Sequence, residues 1–345
     1  MTAPAQGGAD LAVAPEAWLK ENPTLSNRQV FRHALARFAD DDARIVLLEA
    51  DLAGGGDAFE ARHPDRFLNL GICEATMIDA ACGMAAAGQV VFAHTFAAFG
   101  AMRACEQVRL GMAYGRANVK LVCDYGGLSG AFFGPTHHAI EDLAILRSMP
   151  GMTVVSPADA LETVQAIRAL VDFEGPVYLR LGRNRVSRLD VPRPDFQIGR
   201  AACLREGDDV GLVAHGDVGV SVALEAAGLL EAQGVSARVL NMHTLKPLDE
   251  AALRETVERT QWLFTVEEHS VVGGLGGAVC ESVCALGLGA RVVRVGIQDR
   301  YDPTAGSHEE LLKRHGIDGA SLAEQILHAL PRPRRAALKP ALRRG

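Results

Sequence analysis

Glu74 stands in LNLGICEATMIDAACGMAAAG, where a strand-like apolar run passes through a glycine turn straight into a stretch of Ala, Gly, Cys and Met. Small residues on a helix let another backbone come close, so this helix reads as an interface element. A carboxylate at its first turn is stabilised by the helix dipole, and by composition alone a plain cap accounts for it better than a reactive acid does. Phe96 and Phe99, three apart, read as two core rings on one helix face. His137, behind Gly-Pro-Thr, satisfies a turn as readily as it meets a substrate.

The elements that must position these residues follow a βαβ rhythm. Short β-branched runs (residues 43–52, 89–93, 118–125, 152–157 and 176–182) alternate with small-residue or amphipathic stretches (74–88, 101–113 and 158–171). That alternation predicts an α/β protein with a mostly parallel sheet and helices on both faces. Residues 184–200 break the rhythm with two prolines and mixed charge, as a linker does. Strand-like runs at 209–216, 235–242, 262–269 and 290–296 then open a second α/β unit.

Composition sets the outer bounds. A chain of 345 residues with 48% apolar and 22% charged residues supports two ordinary domains. Its apolar runs are shorter than the roughly 20 residues a membrane span requires, and the first eighteen residues lack a basic flank followed by an apolar stretch, so a cytoplasmic location is expected. The seven cysteines are scattered, with Cys82 and Cys123 in apolar context, and read as reduced core thiols. Cys280 and Cys284 share a predicted helix face, where packing explains them better than a metal. Net charge is −7, yet residues 331–345 carry six Lys or Arg and no acid, leaving −13 elsewhere. That basic tail reads as a frayed terminus, since no aromatics interleave it as nucleic-acid binding would favour.

With these elements in view, the chain resembles the transketolase family, in the half that binds the pyrimidine ring of thiamine diphosphate. The resemblance runs over about residues 26 to 330 in family order. RFLNLGICEATM is followed by HTFAAFGAMRACEQVR (94–109), GPTHHAIEDLAILRSMPGMTVVSPADALET (134–163) and PVYLRLGRN (176–184), then by VLNMHTLKPLD (239–249) and TVEEHSVVGGLGGAV (265–279). It implies a pyrimidine-binding domain at 26–185 after an N-terminal extension, a linker at 186–200, and a transketolase C-terminal-like domain at 201–330, both doubly wound.

The resemblance also implies roles. Glu74 matches the acid that hydrogen-bonds the pyrimidine nitrogen and promotes the tautomer that activates the cofactor. Phe96 and Phe99 match the aromatics lining that ring, and Asp51 and Leu52 match a further position beside the cofactor. His137 matches a histidine that contacts the donor's oxygens. Arg28 and Arg183 match positions that hold a sugar phosphate, a task suited to the guanidinium fork.

Departures concentrate on the substrate side. Where the family usually has Glu-Asp before the glycine of its G-x-T/S-H element, this chain has Phe132-Phe133-Gly134. Tyr125 replaces a frequent histidine, His94 takes an often small position, and Gly55 falls where some members place a phosphate-binding serine. Loss of a buried hydroxyl-reading acid predicts weaker use of polyhydroxylated sugars. The family's G-D-G element, followed some thirty residues later by Asn, is missing. EGDD (206–209) and HGDVG (215–219) lie in the second unit and lead to no fitting Asn. The diphosphate and its Mg²⁺ are therefore expected on a separate N-terminal transketolase subunit, with no metal ligand in this chain and an α2β2 heterotetramer as the active particle. The expected activity is transfer of a two-carbon ketol unit to an aldehyde-like acceptor other than a standard sugar phosphate. The alternatives are the beta subunit of a 2-oxo acid dehydrogenase or decarboxylase, and a non-catalytic subunit of the same fold.

Overall fold

A computed structural model describes Leu19 and residues 25–52, 58–184 and 189–331. Gly55, nearly all of the N-terminal extension, part of the linker and the basic tail lie outside them. Ser26 opens helix α1 (Asn27–Asp41) with a capping box to Gln29. Strand β1 (Ile45–Glu49) follows, then α2 (Ala58–Arg62), β2 (Phe67–Asn69), α3 (Glu74–Ala86) and β3 (Val90–Phe96). Three helical segments come next, Phe99–Arg103, Cys105–Gln107 and Val108–Tyr114, the first and last wound as π-helix. Strand β4 (Val119–Asp124), α4 (Asp142–Ser148), β5 (Thr153–Val155), α5 (Ala160–Asp172) and β6 (Val177–Arg180) complete the first half.

The first sheet has the order β10-β5-β6-β4-β3-β1-β2, where β10 is Thr244–Lys246 from the second half, and β1 to β6 all run parallel within it. Every residue of β1 is buried, as expected of a parallel strand covered on both faces. Its alternation sorts the layers. Ile45 and Leu47 face Phe31 and Leu35 of α1 and Ile167 of α5, whereas Val46 and Leu48 face the opposite layer with Met77 and Ile78 of α3.

The second half supplies β7 (Ala202–Arg205), β8 (Val210–Ala214), α6 (Gly216–Glu231), β9 (Ala237–Asn241), β10 (Thr244–Lys246), α7 (Glu250–Thr260), β11 (Trp262–Ser270), α8 (Leu275–Ala285), β12 (Arg291–Ile297), α9 (His308–Arg314) and α10 (Gly319–Ala329). Its sheet, β12-β11-β8-β9-β7, is parallel apart from the edge strand β7. Strand β10 leaves this unit and pairs antiparallel with β5, extending the first sheet across the boundary between the halves. The core is continuous there too: Leu253, Leu275 and Val279 pack in one cluster with Val46, Val91 and Leu121.

The cysteines depart from the expected pattern. All seven are unbonded, but only Cys123 is fully buried, while Cys73 and Cys284 are exposed. Cys284 does share α8 with Cys280, on the side turned away from the core. No described helix is long and apolar enough to cross a membrane.

Candidate active site

Glu74 opens α3 as its first residue, with Cys73 at the cap position offering no side-chain bond. The sequence reaches that geometry through Asn69, whose Oδ1 accepts from the amides of Asp51 at 3.2 Å and Gly71 at 3.0 Å. Gly71 itself has φ 71°, a left-handed turn that favours glycine. The Glu74 side chain is 1% exposed, and both oxygens accept from Arg103 Nη1 at 2.7 Å. Thr95 Oγ1 lies 3.4 Å from Oε1. Arg103 also rests its guanidinium over the Phe99 ring at 4.2 Å, so carboxylate, arginine and ring form one stack.

Phe96 ends β3 and Phe99 opens the π-wound segment, so the two rings do not share a helix face; a strand-to-helix turn brings them to 6.0 Å. Both stay half-buried. Around them gathers an aromatic wall. Tyr125 lies 4.3 Å from Phe96, Phe133 stacks on His137 at 4.4 Å, and Phe132 lies 4.2 Å from Phe133. His137 also meets Phe99 edge-on at 5.1 Å. Burial, and then the positive charge of Arg103, hold the His137 pKa below its ordinary value, which keeps the ring neutral near pH 7. Arg183 closes the wall: its Nε donates to the Tyr125 hydroxyl at 3.1 Å and its guanidinium sits 4.9 Å over Phe132.

Arg28 and His94 belong to an ion network beside this wall, joined to it along β4 where Asp124 precedes Tyr125. Arg28 Nε pairs with Asp124 at 3.0 Å, and Arg28 Nη2 donates to the Leu52 carbonyl at 2.5 Å. His94, fully buried, lies 2.8 Å from Glu49 and 3.5 Å from Asp124. Glu49 is also held by Arg32 at 2.7 Å. Burial would raise the Glu49 pKa and lower that of His94, but their mutual attraction, with Asp124 and Arg32, reverses both directions. The network is therefore ionised. It fixes the Leu52 carbonyl and, through it, the end of the turn carrying exposed Asp51, whose φ is 56°.

Sequence reading missed Arg103, Asn69, Glu49 and Asp124. Arg103 follows Phe99 by four residues, a spacing that places both on one helical face; the other three gave no local signal.

A buried carboxylate at a helix start, flanked by ring faces and an arginine-tipped aromatic wall, thus lies at the C-terminal edge of a parallel sheet in an α/β fold. Family models match over nearly all of it: transketolase, pyrimidine binding domain, over residues 23–188, and transketolase, C-terminal domain, over residues 199–322. The chain belongs to the transketolase family. It is 40% identical to the 6-deoxy-6-sulfo-D-fructose transketolase subunit SqwH of Clostridium sp. (strain MSTE9), over 88% of this chain and 92% of that one. It is 36% identical to an apulose-4-phosphate transketolase subunit of Phocaeicola vulgatus, over 89% and 98% of the two chains. Among solved structures it resembles a split-gene transketolase in an inactive β4 tetramer, with TM-score 0.81 and 38% identity over 89% of this chain and 98% of that one.

Proposed function

We propose that this chain is the pyrimidine-binding subunit of a two-component transketolase, active in an α2β2 complex with a diphosphate-binding partner. The carrying observation is Glu74: a buried carboxylate beside two half-buried phenylalanine rings offers one polar contact and two aromatic faces, which is what an aminopyrimidine requires. When bound, thiamine diphosphate would supply acyl-anion chemistry for moving a two-carbon ketol unit. Glu74 would hold the pyrimidine nitrogen, and Phe96 and Phe99 would line the ring, with Asp51 and Leu52 at its border. Neutral His137 would donate or accept at the donor's oxygens. Arg183 would take an anionic group at the mouth, and Arg28 would brace that region through Asp124. Diphosphate and Mg²⁺ fall to the partner in this reading. A cytoplasmic setting accords with seven unbonded cysteines.

Partner dependence is supported by the surface around the site. Ile72, Met102, Leu110 and Tyr114 are exposed next to Glu74 and along the π-wound helix, and Gly83 on α3 has open space where a side chain would stand. An obligate interface covering them should exceed about 2,000 Å². The inactive β4 state of the solved relative is in keeping with a chain that needs a second component. Substrate choice follows from Phe132 and Phe133, which give the wall an apolar face where a hydroxyl-reading acid is usual. The Clostridium and Phocaeicola relatives carry the names of unusual sugar substrates, which fits a subfamily that has left the standard ones.

Calorimetry tests the assignment. The lone chain with Mg²⁺ should bind thiamine diphosphate weakly and the reconstituted complex tightly. Micromolar binding by the lone chain would remove the need for a partner.

A further inference from the structure

The second half of the chain reaches the substrate wall through several side chains, and one of them, His308, is linked to both of the wall's segments, directly to one and by way of Glu268 to the other. The wall is carried by the 126–138 loop, with Phe132, Phe133 and His137, and by the residues after β6, with Arg183. Glu268 on β11 accepts the Leu128 amide at 2.5 Å, which pins the loop at its root. His308, the first residue of α9, places Nε2 at 2.6 Å from the same Glu268 oxygen. Its other ring nitrogen, Nδ1, lies 2.5 Å from Asn184 Nδ2, one residue beyond Arg183. We propose that His308 is a positioning residue that locks the aromatic loop and the Arg183 segment into one register through Glu268 on one side and Asn184 on the other.

The backbone around this contact is built for close approach. At Gly127, φ 66°, an added Cβ would stand 2.5 Å from the Glu268 carboxyl carbon. At Gly182 it would collide with the carboxylate of Asp217, at the start of α6. Glycine at both points lets the two segments press against acids of the second half. Helix α9 is itself fixed over the loop. Ser307 and Glu310 form a capping box at its start, Leu311 packs with Leu128 and Ala131, and the Gly306 amide donates to the Ala131 carbonyl at 3.2 Å.

The charges agree with the geometry. Burial would lower the His308 pKa, but the charge and hydrogen bond of Glu268, with Asp217, raise it. Asp217 is pushed up to about 6 by burial and by the Glu268 charge. The two-sided contact belongs to the neutral ring, whose Nε2–H donates to Glu268 while Nδ1 accepts from the Asn184 amide. Arg180, at the end of β6, donates from Nη2 to the Glu268 carbonyl at 3.0 Å, which sets a permanent cation beside that acid.

The part of this that speaks of substrate rests on the transketolase reading; the lock itself does not. Its first test is therefore hydrogen–deuterium exchange of the chain alone. His308→Ala should speed exchange about tenfold at the amides of 127–131 and in the peptide ending at Asn184, leaving α1, α5 and the β8–β9 region unchanged, as loss of roughly one hydrogen bond per segment predicts. Two partial replacements separate the arms. His308→Gln keeps a polar atom near the Nε2 position and should free only the Asn184 segment. His308→Asn keeps one near Nδ1 and should free only the loop. Unchanged exchange in both segments, or a uniform rise across the molecule in all three variants, overturns the proposal. The second test uses the reconstituted complex. His308→Ala should raise KM for the donor or acceptor at least about fivefold with kcat changed less than about twofold, because ground-state positioning is what is lost. A parallel fall in kcat with KM unchanged contradicts positioning. If the wild-type complex shows no turnover, the transketolase reading fails while the exchange experiment still decides the lock.

Discussion

The seam between the two halves and the face around Glu74 are built on opposite plans. At the seam, Arg180 is fully enclosed and spends its guanidinium on Asp142 at 2.7 Å and on the carbonyls of Ala139 and Glu268. Tyr178 donates to the same Asp142 at 2.5 Å, and Lys246 on β10 donates to the Arg147 carbonyl at 2.9 Å. Arg180, Tyr178 and Asp142 are thus buried and paired with one another. Around Glu74 the carboxylate is buried, but Arg103, which holds it, is 44% exposed, and its surroundings include Ile72 at 66% exposure and Tyr114 at 85%. The chain is closed where its own domains meet and open around Glu74, where the proposed chemistry lies. A fold spends its buried ion pairs on what must stay fixed, and leaves apolar surface where another molecule completes the site.

The contrast would break most visibly at Asp142. Asp142→Asn leaves the buried Arg180 cation without its counter-charge, and such losses cost about 3–5 kcal/mol. A urea unfolding midpoint lowered accordingly is the expected result; a cost below about 1 kcal/mol would mean the seam is not held by this pair.

Glu74→Gln should do the reverse, sparing the fold and removing the activity. Arg103 reaches solvent, so an amide opposite it costs little stability. In the reconstituted complex we expect a loss of at least about 100-fold in turnover, the lower end for a positioned acid–base group. Near-normal turnover would show that Glu74 is a cap and no more.

How far the sequence reveals each plan depends on the range of the signal. The parallel strands β1, β3, β4 and β6 were readable because strands covered on both faces are continuous apolar runs. Strand β10 was not, since three residues of Thr244–Lys246 carry no period and its partner β5 lies some ninety positions away. The π-winding at 99–114 also left no pattern. Glu74, Phe96, Phe99, Tyr125, Phe133 and His137 could be named together only because the family motif joins them; the residues alone left Glu74 a cap, Phe96 and Phe99 core rings, and His137 a turn residue. Arg103, Asn69 and the Glu49–His94–Asp124 network are pairings across 18 to 45 positions, which no local rule encodes.

Phe133→Asp sharpens the comparison on the open side. A carboxylate in place of the ring stacked on His137 restores a hydroxyl acceptor to the wall and removes apolar contact. The ratio of catalytic efficiencies for a pentose phosphate and a less polar aldehyde should shift toward the sugar by about 1–3 kcal/mol. An unchanged ratio in a complex that already uses pentose phosphates well would leave the wall without influence on selectivity.

The smallest effect is expected at His243, on the closed side. Its ring packs at a tilt against Phe196 of the linker, centroids 4.3 Å apart, and its carbonyl accepts the Ser156 amide at 2.7 Å, so it sits where linker, β5 and β10 meet. Burial pushes its pKa down to about 4, from 6.5 for an ordinary histidine. The unfolded chain therefore binds more protons than the fold between those values, and stability is lost as pH falls through the window. Asp217 and Glu267 work against this trend: burial raises them to about 6 and about 7, so the fold binds more protons than the unfolded chain and they favour lower pH. Net stability of the wild type hides the histidine. A difference does not, because His243→Gln keeps both acids and deletes one titration. Between pH 6.5 and 5.5 the wild type should lose about 1 kcal/mol more than the variant, read from urea midpoints at each pH. Parallel curves would mean that the ring is already protonated or wetted in the fold, and that the seam is less closed at the linker than at Arg180.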